Sequence, residues 1–511
     1  SALGLTNEQM AANPVWVDKT GNGHDLQMKN FAWKGMSGVG GYVTNKDIYE
    51  YDLDRYSYTF IENSTKVHDF YIVFELIGYD ENFKDGFNLD VRSISQGLKY
   101  RKTYTKNGIY IFQYKDEEGL DDLFAIGYNG NGGARSNFTV KILPLYPGFI
   151  LGDGVDDFAA TEKELNFEDT YTVYTAFIPF QVDPVRAMEI CGKDFRKDFY
   201  LYYSSTHVVY YTSGLNNYIP VRINQFHIIV CKRNKTNAVI KNLITGESKT
   251  FSVSELIDNP GVYYLWRYQR SGTSTAKTAI AGQTICNGYF STDEDDEKVL
   301  NWYKKQYPWL FPDQAWTVTS KTNEDEDRAI IANITGNGND LMLFNLGFVE
   351  GSGYNEEGEY AGYLVTDGVD DKVESSFFTL NKDWTIVVNC TMLSNIPSNC
   401  GIIKVSAMFL YNSLDGVTIF FPGGPIKIQS KSINAICSDG RTYLNDWTEI
   451  LKPDAQLASG GGSTSSLNIA SYSPTNFTKM AFKNLAIYDG KNLSKDDCIK
   501  AYNYLQTLKA K

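Results

Sequence analysis

The chain has 511 residues, a formal net charge of −13, 42% hydrophobic residues and 14% aromatic residues. That length holds roughly three domains at about 150 residues each, and the hydrophobic share permits full-sized cores. The acidic balance argues against nucleic acid, whose affinity comes from Lys and Arg neutralising phosphates, and against docking on an anionic membrane.

No apolar run approaches the about 18 residues of a spanning helix, so no membrane insertion is expected. No leader peptide is visible, and the start at Ser1-Ala2-Leu3 without Met is expected to follow removal of a segment. Seven Cys is an odd number, and none forms a C-x-x-C pair. They read as reduced, small core residues, which favours folding in a reducing compartment. The four His show no metal-type spacing, which argues against zinc.

In chain order, Thr6-Asn7-Glu8 is a short polar lead-in, followed by Trp16 and the turn phrase Thr20-Gly21-Asn22-Gly23-His24-Asp25-Leu26. The same order recurs as Thr322-Asn323-Glu324 and Thr335-Gly336-Asn337-Gly338-Asn339-Asp340-Leu341. Both copies reach Gly-Tyr, at Gly41-Tyr42 and Gly362-Tyr363. The second copy then runs directly into Asp367-Gly368-Val369-Asp370-Asp371. The first copy reaches the same phrase, Asp153-Gly154-Val155-Asp156-Asp157, only after a domain-sized stretch. That stretch reads as an inserted β-domain. It contains the run Phe70 to Ile77, a hairpin around Asn107-Gly108, and a last strand from Asn137 to Leu143. Beyond the phrase the copies realign. Tyr171-Thr172-Val173 answers Trp384-Thr385-Ile386, Phe199 to Tyr203 answers Met408 to Asn412, and Val208 to Tyr211 answers Val417 to Phe420. Short strands spaced by turns are the signature of an antiparallel sandwich. Each copy closes on a helix, with Ser291 and Ser494 as the expected caps. The acidic run Glu324 to Asp327 reads as a solvated turn.

This order of phrases resembles the concanavalin A-like lectin/glucanase superfamily in its laminin-G-like jelly-roll form. The resemblance implies an all-β chain: two concanavalin A-like sandwiches, the first interrupted by a small inserted β-domain, each ending in a short helix. The expected boundaries are 1–43 with 148–311 for the first sandwich and 44–147 for the insertion. A linker at 312–321 and a second sandwich at 322–511 complete the plan. The stretch Asn30 to Tyr42 also resembles structural proteins of phages that infect gut Bacteroidales, in which modules of this fold decorate fibres or capsids.

The fold hosts lectins, hydrolases and structural modules, so function is weighed on residues. Aromatic faces stack on sugar rings while polar neighbours fix hydroxyls. Tyr200 and Tyr202 alternate onto one face of a strand, as do Tyr264, Trp266 and Tyr268, with Arg270 beside them. These six are the expected glycan-binding residues, and packing within the core is the competing reading. Asp153, Asp156 and Asp157, with Asp367, Asp370 and Asp371, read first as turn-closing acids. A hard cation such as calcium is the alternative for both sets, and no cofactor is required. No Glu-x-Asp-x-x-Glu strand of the glucanases is present. The acids Asp293 to Glu297 sit at a helix start, where they cap and solubilise. A glycoside hydrolase therefore ranks third. A non-enzymatic virion fibre or decoration protein that binds a cell-surface or dietary glycan ranks first. It would be assembled in the host cytoplasm with other virion proteins, as a homo-oligomer. A secreted or cell-surface bacterial adhesion protein ranks second.

Overall fold

A computed structural model describes all residues except 34–36, 42–47, 51–58, 62–68, 81–85, 116–122, 130–137, 181–187, 194–198, 205, 213, 255–260, 267–275, 359, 382, 394–399, 406–407, 414–415, 422–423, 429–431, 452–463, 474–475 and 511. The chain is almost entirely β and divides into two compact units, Ser1–Trp302 and Tyr303–Lys511.

In the first unit two antiparallel sheets enclose one core. The eight-stranded sheet runs Val15–Trp16, Leu26–Lys29, Phe158–Thr161, Tyr263–Leu265, Met188–Lys193, Tyr200–Tyr203, His207–Thr212, Leu215–Pro220. The seven-stranded sheet runs Ser248–Ser252, Asn237–Asn242, His227–Arg233, Tyr171–Pro179, Lys277–Asn287, Ile150–Asp153, Gly38–Val39. Tyr171–Pro179 and His227–Arg233 are buried on both faces. One face packs into the core, and the other lies under the start of helix Asp293–Gln306. There Lys232 and Asp296 form a buried ion pair at 2.7 Å, and the Tyr174 hydroxyl donates to Asp296 at 2.9 Å. The helix is capped one residue later than expected. The Thr292 hydroxyl accepts from the Asp295 amide, and the Asp295 carboxylate accepts from the Thr292 amide. Ser291 instead donates to the buried Asp296. Helix Asn7–Ala12 is an addition to the expected plan. Its signal was the Thr6/Gln9 capping box inside the stretch read as a lead-in.

Residues 48–143 contribute two four-stranded sheets with a core of their own, built on Phe74, Phe87, Leu89, Phe112 and Val140. The expected hairpin at Asn107-Gly108 is absent. Gly97–Tyr104 pairs with Phe87–Ser93, whereas Gly108–Lys115 pairs with Asp69–Ile77 in the other sheet. The turn is therefore a crossover. The Asn107 side chain holds it to the neighbouring loop, accepting from the Tyr79 amide at 2.6 Å and donating to its carbonyl at 2.7 Å. At the root of this segment the Gly40 amide donates to the Phe149 carbonyl, and the Tyr146 amide donates to the Gly40 carbonyl.

The second unit repeats the sandwich. One sheet runs from Gly353–Asn355 through Met480–Asp489 and Trp384–Met392 to Glu449–Leu451, and the other from Ile330–Ile331 to Gly424–Ile428. The 312–321 stretch is no linker. Gln314–Thr317 pairs with Met480–Asp489, and Trp316 lies in the core. Helix Lys495–Thr507 is capped by Ser494, as expected.

The likeness of the units extends to unusual backbone. Asn30 and Asn345 (φ 66° and 65°), Trp33 and Phe348 (55° and 51°), and Trp266 and Ala470 (60° and 66°) all take left-handed φ at matching places. Such φ values are uncommon outside glycine. Cys191, Cys231, Cys390, Cys437 and Cys498 are buried free thiols.

Candidate functional site

The outward face of the eight-stranded sheet in the first unit gathers tyrosines. Core residues on these strands are Leu201, Tyr203, Val208, Tyr210, Ile219, Tyr263 and Leu265. Alternation turns their neighbours the other way. Strand register then forms a row: Tyr264 opposite Gly192, Gly192 opposite Tyr200, Tyr200 opposite Tyr211, Tyr211 opposite Asn216. The next row sets Tyr202 opposite Val209 and Val209 opposite Tyr218. The Tyr200 and Tyr202 rings lie 5.3 Å apart and tilted by 41°. The Tyr202 hydroxyl donates to Asn216 at 3.2 Å. Gly192 is required here, because a Cβ would meet Tyr200 Cδ2 at 2.3 Å, so the ring lies flat against the sheet. Tyr202, Tyr211 and Tyr264 are half-buried, Tyr218 is exposed, and Tyr200 is buried. Lys249 stands 4.7 Å from the Tyr218 ring centre, and the His207 ring meets its edge at 4.9 Å.

Trp266 is not part of this face. It is fully buried, donates through Nε1 to the Thr278 carbonyl at 2.9 Å, and meets Phe31 edge-on at 5.4 Å. Alternation from Tyr264 predicted a shared face. The left-handed φ of Trp266 breaks that alternation and folds the indole over Gly152, where a Cβ would come within 2.5 Å of it. Tyr268 and Arg270 lie outside the described residues.

The two acidic turns are near copies. Asp157 is fully buried and accepts from the Asp153 amide at 3.0 Å and from the Ser37 hydroxyl at 2.9 Å. Asp371 accepts from the Asp367 amide at 2.7 Å and from Ser352 at 3.1 Å. Asp153 and Asp367 each accept from the amide two residues on. Asn30 and Asn345 donate to the carbonyls of Asp156 and Asp370. In each turn the three carboxylates come within 4.8 Å of one another. Burial, reinforced by the neighbouring acids, pushes the Asp157 carboxyl up to about 7 and that of Asp371 to about 6. Both oxygens of Asp157 and of Asp371 are engaged by hydrogen bonds within the turn and from the serine.

No family model matches the chain, and neither does any curated protein. Among solved structures, the binding domain of botulinum neurotoxin DC in complex with rat synaptotagmin II is 10% identical, with a TM-score of 0.30 over 65% of this chain and 82% of that one. Domains LG4-5 of the mouse laminin alpha1 chain are 10% identical, with a TM-score of 0.23 over 49% of this chain and 91% of that one. A botulinum neurotoxin type C structure is 11% identical, with a TM-score of 0.27 over 63% and 86%. Similarity of this order carries no functional argument. The all-β sandwich architecture stands on the strand pairing itself.

Tyr211, Tyr218, Asn216 and Gly192 are site residues that the sequence reading passed over. Tyr211 was legible as the alternate partner of Val209 within His207–Thr212. Gly192 was not, because its role depends on which strand lies beside it. Of the helix-start acids, Asp296 is committed to Lys232 and Tyr174, and Asp295 to the cap, with its carboxyl held down to about 2 by the Tyr289 hydroxyl and the Thr292 donors.

Proposed function

We propose that the protein is a non-enzymatic, glycan-binding component of a phage virion, a fibre or decoration protein that serves host attachment. The observation that supports glycan binding is the tyrosine face of the first unit. Tyr202, Tyr211 and Tyr264 offer half-exposed rings on one side of the sheet, packed around the buried Tyr200, with Asn216 beside them to read hydroxyls. Rings of this kind stack on the apolar faces of pyranoses. The virion assignment rests on the resemblance carried by Asn30 to Tyr42. No metal is required in this reading, because hydrogen bonds close both acidic turns. Other virion proteins and further copies of the chain are the expected neighbours.

A glycan array with the full chain tests the reading. Tyr202→Ala and Tyr264→Ala should each weaken binding about tenfold, the loss expected when one stacking partner worth about 1.4 kcal/mol is removed. Their melting temperatures should stay near that of the parent. Signals unchanged in both variants would sink the assignment of this face. Products released from a polysaccharide panel would sink the non-enzymatic reading.

A further inference from the structure

The helix that closes each sandwich is fastened to the sheet beneath it by a buried pair of side chains, and the pair differs between the units. Tyr171–Pro179 and Trp384–Met392 are the matching strands. Thr172 lies opposite Lys232, and Thr385 lies opposite Cys437. The Thr172 hydroxyl accepts from the Ser291 amide at 2.9 Å and donates to the Tyr289 carbonyl at 2.9 Å. The Thr385 hydroxyl accepts from the Leu493 amide at 2.9 Å and donates to the Lys491 carbonyl at 3.0 Å. Lys232 Nζ donates to the Ser291 carbonyl at 3.0 Å, and Cys437 Sγ to the Leu493 carbonyl at 3.9 Å. On the helix side, the Asp296 amide donates to the carbonyl of the cap Thr292, and the Cys498 amide to that of the cap Ser494. Cys437 and Cys498 thus stand where Lys232 and Asp296 form their ion pair at 2.7 Å.

Both cysteines are fully buried free thiols. Cys437 ends the strand Ser432–Cys437, and Cys498 lies in the first turn of helix Lys495–Thr507. Its bond to Leu493 places the Cys437 sulfur at the foot of that turn. A hydrogen bond from Cys498, aided by the Thr385 hydroxyl and the Arg441 guanidinium, holds the Cys437 thiol below the ordinary thiol range despite burial. Cys498, on the other side of that bond, is held well above it. A thiolate facing a thiol is the arrangement from which a disulfide forms. Packing alone is the competing reading, since buried cysteine behaves as a small hydrophobe. Cys191 fits that reading, with its sulfur 3.8 Å from the Thr175 hydroxyl and with Tyr263 and Gln283 as further neighbours. Packing does not account for two thiols meeting at the place where the other unit sets an attractive pair.

We propose that Cys437 and Cys498 form a redox-controlled disulfide, a covalent tie between helix Lys495–Thr507 and its sheet in place of the ion pair of the first unit. Hydrogen peroxide is a sufficient oxidant, and it reaches the pair when the first turn opens locally. The Cys437 thiolate attacks one peroxide oxygen, the O–O bond breaks, and a sulfenic acid forms with loss of hydroxide. The Cys498 sulfur then attacks the Cys437 sulfur, and the sulfenic oxygen leaves as water with the Cys498 proton. Two thiols and one peroxide become one disulfide and two waters, and the peroxide takes both electrons. A chain folded with both thiols reduced would acquire this tie in an oxidising medium.

The test treats the folded full chain with hydrogen peroxide, then unfolds it, alkylates the remaining thiols and maps its peptides by mass. The half-buried Cys286 reports that the dose is sufficient. The map should join Cys437 to Cys498. The melting temperature of the second unit should rise by about 5–10 °C, because the tie closes a loop of about 60 residues, and should fall back with dithiothreitol. Cys437→Ser and Cys498→Ser should each abolish the crosslink and the rise, whereas Cys191→Ser should keep both. Should a variant lose its fold, the peptide map of the parent decides by itself. Three outcomes each overturn the proposal: no crosslink between Cys437 and Cys498 at a dose that oxidises Cys286, a crosslink mapped to another pair, or an oxidised chain no more stable than the reduced one.

Discussion

Single residues decide which aromatic groups face water. Trp266 sits on a strand whose alternation points it outward, and its left-handed φ turns it in. Trp266→Ala should therefore cost about 3–5 kcal/mol of stability in a denaturant titration; a loss confined to glycan affinity would contradict its place in the core. His227 shows the same commitment to burial. Its Nδ1 accepts from the Asn242 amide at 3.1 Å, and its Nε2 proton goes to the Arg222 carbonyl at 2.9 Å. Burial lowers its pKa to about 4. The unfolded chain binds a proton near pH 6.5 and the folded chain only near 4. The neutral ring therefore contributes fully above about pH 6.5, and its contribution is lost as pH falls toward 4, on the order of 3 kcal/mol in all. His227→Gln should flatten that part of the stability–pH curve, and an unchanged slope would count against it. Neither residue was readable in advance. Trp266 fits a half-exposed strand in every respect but φ, and His227 carries no local mark of burial.

Turns and strands show where local chemistry is enough and where it is not. The Asp-Gly-Val-Asp-Asp phrase could be read as a turn because its bonds lie within five residues, from Asp153 to Asp157 and from Asp367 to Asp371. The serine that completes each turn could not, since Ser37 comes from 120 residues upstream. Ser37→Ala and Ser352→Ala should each cost about 1–2 kcal/mol, because the hydroxyl both donates to a buried carboxylate and accepts a backbone amide. Stripping divalent cations with a chelator should leave the melting temperature unchanged, and a rise on adding calcium would restore the cation reading. Asn107-Gly108 shows the opposite limit. The dipeptide specifies a tight reversal, but the partner strand is chosen by sheet packing, here through Asn107 and the Tyr79 backbone.

Across the whole molecule, the duplication could be seen because turn glycines and acids recur in order, and the matching φ values at Asn30 and Asn345, or Trp33 and Phe348, carry it into the backbone. The tyrosine face was half visible. Tyr200, Tyr202 and Tyr264 carry the alternation themselves, but the row across strands exists only once Met188–Lys193 lies between its neighbours. The net charge of −13 leads to a prediction at this scale. Duplex DNA should show no retardation by the full chain at about 150 mM salt, and a retarded band would overturn the exclusion of nucleic acid. The junction at Gly40 has a different consequence. Bonds of 3.0 Å to Phe149 and 2.8 Å from Tyr146 bring the chain back to where it left, whatever lies between. The second unit spans the matching gap, from Asn355 to Tyr363, with a short loop, so that Gly362-Tyr363 answers Gly148-Phe149 in the pairing and not Gly41-Tyr42 as the repeated dipeptide suggested. The junction is thus a socket: its geometry does not depend on its cargo, and lengthening the cargo adds little closure entropy. A protein built this way can exchange one inserted segment for another while the sandwich beneath keeps its register.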